Sequence, residues 1–155
     1  MPRSGKVKKR PIPPDPIYKS RIVTRLINKI MRDGKKTLAQ KIVYNMLDSL
    51  SEDKREAVAI LEQSIKNIMP KQEVRSRRVG GATYQVPIPL KHDRSEALAI
   101  RWLVEICRNK KGKPMWQKLA EEVKLAYKNE GEAIKRKIDT HKMAEANKAF
   151  AHFRW

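Results

Sequence analysis

The sequence predicts a mainly α-helical protein, a compact bundle of about six helices with a protruding β-hairpin arm between the third and fourth helices and a basic extended arm at the N-terminus. Three observations predict it. Apolar residues recur at helical spacing in separate stretches along most of the chain. One intervening stretch, residues 71–89, instead reads as two short strands about Gly80-Gly81. The opening residues 1–17 hold five of the nine prolines and show no apolar period. A chain of 155 residues is long enough for one core and short for two. It therefore divides into an arm, residues 1–17, and a single helical domain, residues 18–155, that includes the hairpin arm 71–89.

The arm, MPRSGKVKKRPIPPDPI, is expected to be extended and to remain disordered until something anionic binds it. From Arg21 the pattern changes: Ile22, Val23, Leu26, Ile27, Ile30 and Met31 fall on one helical face, and Arg21, Arg25, Lys29 and Arg32 on the opposite one. Asp33-Gly34 stops this helix, and Lys35-Lys36 opens a second with Leu38, Ala39, Ile42, Val43, Met46, Leu47 and Leu50 as its apolar set. A third, from about Lys54, aligns Ala57, Ile60, Leu61, Ile65, Ile68 and Met69 and closes at Pro70. The fourth begins at Asp93, which with Glu96 reads as a capping box. Its run ALAIRWLVEIC is apolar nearly all round, which marks it as the central helix with Trp102 in the core. A fifth starts near Pro114 and presents Trp116, Leu119, Ala120, Val123 and Tyr127. The sixth, from about Glu132 toward the C-terminus, is the most polar.

In the hairpin, a two-residue Gly80-Gly81 turn sets Val79 opposite Ala82, Arg77 opposite Tyr84 and Arg75 opposite Val86. Neither face is apolar, and an isolated hairpin is marginal in water, so the ribbon is expected to need an external partner. Arg75, Arg77 and Arg78 suit phosphates, Tyr84 suits an unpaired base, and Ser76, Thr83 and Gln85 suit sugars or base edges. An ordinary exposed hairpin with solubilising arginines is the alternative reading.

Charge indicates what that partner is. Lys plus Arg number 36 against 17 Asp plus Glu, a formal charge of +19. The excess is uneven: residues 1–20, 21–47, 71–91 and 108–118 are basic, while 48–62 are acidic. Such blocks imply one side facing a polyanion and another left for solvent or protein, with the acidic patch around Asp48 to Glu56 turned away. A nucleic-acid backbone is the densest such polyanion. The candidate contacts are Arg3, Lys6, Lys8, Lys9 and Arg10 in the arm, Arg25, Lys29, Arg32, Lys35 and Lys36 in the first helix and turn, and the hairpin residues above. Arg108, Lys110, Lys111 and Lys113, with Met115 at its edge, form a basic loop between the fourth and fifth helices, and Lys142 adds a cation on the sixth. A structural reading of the loop is also open, because cations suit the C-terminus of a helix.

Other functions lack their residues. Three histidines, His92, His141 and His152, and one cysteine make no metal-ligand spacing, and neither Gly34-Lys35 nor Gly80-Gly81 belongs to a phosphate-binding loop of nucleotide hydrolases. We expect no enzyme activity, no metal, no cofactor and no small-molecule substrate. No run of about 18 apolar residues is present, so no membrane partner is expected. The N-terminus lacks the apolar stretch of a secretory signal. Cys107, alone and within an apolar run, is expected to be core filler in a reducing, cytoplasmic compartment.

Several fragments resemble one family. The opening PRSGKVKKRPIPPDPIYKS, the Gly34-Lys35-Lys36 element after the first helix, EVRSRRVGGATYQVP, and the ending KRKIDTHKMAEANKAFAHFRW are together similar to the seventh family of bacterial small-subunit ribosomal proteins. Arg3-Ser4 departs from the two arginines expected there. The resemblance implies direct binding to the 3′ major domain of small-subunit ribosomal RNA and nucleation of the subunit head. It further implies a position at the subunit interface, with the hairpin near the exit-site transfer RNA and the messenger RNA path, and neighbours from the ninth and eleventh small-subunit families. The alternative of another class is a DNA-architectural or transcription-related helical protein that lays its ribbon in a groove.

Overall fold

The computed structural model describes Gly5 and residues 10–153. Of the candidate contacts, Arg3, Lys6, Lys8 and Lys9 lie outside the described residues. The elements run in the order α1 (Arg21–Ile30), α2 (Lys36–Asp48), α3 (Lys54–Ile68), β1 (Gln72–Val79), β2 (Ala82–Pro89), α4 (His92–Asn109), α5 (Met115–Tyr127) and α6 (Glu132–Ala146), then a terminal 3-10 helix (Lys148–Phe153). This is the mainly helical bundle with a hairpin between the third and fourth helices that the periodicity predicts.

α1 buries Val23, Leu26, Ile27 and Ile30. It ends where Asp33 and Gly34 both adopt left-handed backbone, with φ of 51° and 72°. α2 buries Ala39, Val43, Met46 and Leu47. Leu38, expected in that set, is 54% exposed, because it lies well round the helix from the centre of the buried face. The Asp53 side chain accepts from the Arg55 amide at 3.0 Å and caps α3, while the Ser51 hydroxyl donates to Glu56 at 2.6 Å. α3 buries Ala57, Leu61, Ile65 and Ile68.

α4 is the central helix, packed against α1, α3, α5 and α6. Ala99, Leu103, Val104 and Cys107 are fully buried and Trp102 nearly so. Burial pushes the Cys107 thiol up to about 12, which leaves it an inert core residue. The expected capping box does not form. The N-cap is Lys91, two residues before Asp93, so Asp93 falls inside the first turn. Glu96 is taken instead by Arg25 of α1 at 2.6 Å, an ion pair between helices that replaces a local cap. Pro114 likewise stands at the N-cap of α5 rather than within its first turn. Tyr127, placed on the buried face of α5 by its spacing, is 49% exposed at the end of that helix. α6 stops at Ala146, and the terminal 3-10 helix packs back on β2.

The N-terminal arm docks earlier than its composition suggests. Asp15 is buried, and its carboxylate accepts from the Ile17 and Tyr18 amides at 3.1 Å each and from the Tyr44 hydroxyl of α2 at 2.9 Å. Tyr18 donates to Asp48 at 2.8 Å, with its ring 5.5 Å from that of Tyr44. Burial, followed by the bond to Asp15, pushes the Tyr44 hydroxyl up to about 12. An aspartate that bends the local chain thus finds a further partner, the Tyr44 hydroxyl, 29 residues away.

Candidate nucleic-acid interface

Three groups of cations reach the surface of the described residues. The first is centred on α1. Arg10, Pro11 and Ile12 run across α1 and α4 and enclose with them a cleft of about 630 Å³. Arg21, Arg25 and Lys29 line it from α1, one turn apart on a single stripe, and Arg101 lines it from α4. Just beyond, the turn between α1 and α2 leaves Arg32, Lys35 and Lys36 exposed.

The second group is the hairpin. Its register is the predicted one: Val79 pairs with Ala82, Arg77 with Tyr84 and Arg75 with Val86. Gly80 and Gly81 supply the positive φ values, 56° and 91°, of the two-residue turn. The expectation that the ribbon lacks an internal partner is corrected. Tyr84 is packed by Phe150 and Phe153 of the terminal 3-10 helix, each ring 5.1 Å away, and Val86 is fully buried. At the base, the Lys71 amide donates to His141 Nε2 of α6 at 2.9 Å, and Lys137 donates to the Asn67 carbonyl at 2.6 Å. Glu73 binds Arg75 at 2.7 Å and Arg94 of α4 at 3.2 Å. Gln85 donates to Ser76 across the strand pair at 2.9 Å. Arg78 and Thr83 are exposed at the tip.

The third group, the loop between α4 and α5, divides in two. Arg108 donates to the carbonyls of Lys29 and Ile30, at 3.3 and 3.0 Å, and so caps the C-terminus of α1. Lys110 pairs at 2.6 Å with Glu122, whose side chain is fully buried. Burial opposes the Lys110 charge, but the hydrogen bond to Glu122 and its negative charge outweigh this and raise the ammonium pKa. The other oxygen of Glu122 accepts from the Ala133 amide at 2.9 Å, which caps α6 from a distance. Gly131 makes this approach possible, since a Cβ there would stand 2.8 Å from that oxygen. Lys113 pairs with Glu121, Met115 packs against the core, and Lys111 is exposed. The loop is free of acids only in sequence; in space α5 supplies two. Lys142 is exposed on α6.

Arg21 and Arg101 line the cleft but are not among the contacts expected from the sequence. Arg21 carries a sequence signal, its place on the Arg25-Lys29 stripe. Arg101 carries none, since only the crossing of α1 and α4 brings it to the cleft.

A helical core with exposed cations on a turn, a ribbon and a loop defines a class of basic helical protein whose surface suits a polyanion. The chain belongs to the ribosomal protein S7p/S5e family, whose profile matches residues 2–148, and this is a family of ribosomal structural proteins rather than enzymes. The small ribosomal subunit protein uS7 of Thermotoga neapolitana is 56% identical over 154 residues, covering 99% of each chain. That of Thermoanaerobacter pseudethanolicus is 54% identical over 156 residues, covering 100% of each, and that of Pelotomaculum thermopropionicum is 53% identical over the same span.

Proposed function

We propose that this chain is a structural constituent of the small ribosomal subunit that binds small-subunit ribosomal RNA in its 3′ major domain and nucleates assembly of the head. The carrying observation is that cations on α1, the α1–α2 turn, the hairpin tip and the α4–α5 loop, far apart in sequence, are fixed to one core in a family of ribosomal proteins. Residues 18–155 act as one RNA-binding domain, and the arm joins them on the RNA. Binding is electrostatic clamping without chemistry: several RNA elements are held in one relative geometry while condensed counterions are released. Exposed Arg32, Lys35, Lys36, Arg78, Lys111 and Lys142 are the leading phosphate contacts, whereas Arg108, Lys110 and Met115 serve chiefly to hold the platform together. In this reading the chain works in the cytoplasm within the ribosome, its hairpin near the exit-site transfer RNA and the messenger RNA path, beside proteins of the ninth and eleventh small-subunit families.

The test is titration against an RNA fragment of the small-subunit head, with double-stranded DNA as competitor. Tight binding that excess DNA fails to displace supports the proposal. Equal affinity for the DNA would sink it in favour of an architectural DNA-binding protein.

A further inference from the structure

We infer that the cleft between Arg10–Ile12, α1 and α4 receives a single unpaired nucleotide of the RNA, base inward and phosphates at the rim. This deepens the proposed function and rests on it. At about 630 Å³ the cleft lies within the roughly 300–1,000 Å³ range of sites that enclose a small ligand. A paired RNA helix is convex and too wide to enter such a space, and it hides its base faces. A nucleotide turned out of the stack is the RNA element that fits.

The lining of the cleft combines the groups a nucleotide requires. Pro11, Ile12, Ala97 and Ile100 give it an apolar lining, suited to the faces of a base and not to a phosphate. Arg21, Lys29 and Arg101 carry the positive charge that the flanking phosphates need, and Arg10 adds to it from the arm. Arg25 is shared with Glu96, so it contributes less. Asn28 and Asp93 also line the space. The Asp93 carboxylate repels a phosphate at its own position, yet it accepts hydrogen bonds from a base amino group, and the Asn28 amide both donates and accepts. Cations alone would describe a track for a paired backbone. An apolar lining with two polar groups fit for base edges describes a receptor for one base.

The experiment uses the full chain and two RNAs: a paired stem, and the same stem with one unpaired nucleotide bulged from it. The bulged stem should bind about tenfold more tightly, the scale of one good set of base contacts. Ala97→Phe fills the cleft from an exposed position of α4 without changing any charge, and should bring the ratio of the two affinities close to one. Asn28→Ala, also at an exposed position, should narrow the discrimination among different nucleotides placed at the bulge. Ala59→Phe on α3, outside the cleft, should leave the ratio as it is, and thermal melts of each variant establish that it is folded. Equal binding of both stems by the unsubstituted protein, or a ratio that survives Ala97→Phe, overturns the cleft while leaving RNA binding in place. Failure to bind either stem also overturns the cleft, while the titration against the head fragment decides the proposed function separately.

Discussion

At the scale of single residues, two lysines one position apart do different work. Lys110 is the counter-ion of a buried carboxylate, whereas Lys111 is exposed. Lys110→Met leaves Glu122 buried without its partner and should lower stability by roughly 2 kcal/mol or more, with little change in the salt dependence of RNA binding. Replacing Glu122 by leucine in the same chain should recover part of that loss. Lys111→Met should leave the melting temperature unchanged and flatten the slope of log affinity against log salt by about 1. A thermal melt and a salt titration of each variant decide the matter, and the assignment fails if the two effects are exchanged. His141 offers a second test. Burial, followed by the charges of Lys137 and Lys71, lowers its pKa from the ordinary value of 6.5. Its Nε2 accepts from the Lys71 amide only while unprotonated. The unfolded chain therefore takes up the proton first, so this contribution is complete above about pH 6.5 and is lost as pH falls through the lower folded value. His141→Gln, which keeps an acceptor and does not titrate, should reduce the fall of melting temperature on the acid side. Superimposable profiles for the two proteins would rule that role out.

At the scale of elements, the hairpin has a fixed root and an open tip. Strand alternation and Gly80-Gly81 are enough to give its register, because a two-residue turn leaves one pairing that matches the pleat. They say nothing of Phe150 and Phe153, which pack on Tyr84 from the far end of the chain. Tyr84 is therefore expected to hold the ribbon in place more than to stack on a base. A double-mutant cycle between Tyr84→Ala and Phe150→Ala should give a coupling of about 0.5–1.5 kcal/mol in stability. A coupling near zero would restore Tyr84 to the binding surface. α4 teaches the same lesson: its nearly all-round apolar pattern marks the central helix, but its start at His92 leaves Asp93 inside the first turn, and Glu96 pairs with Arg25 of another helix.

At the scale of the whole molecule, an excess of +19 charges opposes compaction, and the core holds against it by dispersing cations onto exposed surfaces and pairing those that come inward. RNA affinity should therefore fall steeply as salt rises. Removing Lys35 and Lys36 together should flatten the slope by roughly 1 to 2 units, as expected if each neutralises up to one phosphate. A salt-insensitive affinity would leave the clamping mechanism without support.

The sequence by itself determined the six helices, the place and register of the hairpin, the central position of α4 and the basic character of the surface. Each follows from a period, a turn signal or a charge run contained within a few residues, so local order is enough to read it. Tertiary structure decided which cations are available and which are occupied. Asp15 meets Tyr44, Arg108 meets the end of α1, and Lys110 meets Glu122, which in turn caps α6. The cleft, too, exists only where α1 and α4 cross beneath the arm, and Arg101 belongs to it for that reason alone. Pairing energies depend on distance in space, and no one-dimensional pattern carries the distance between residues 10 to 80 positions apart.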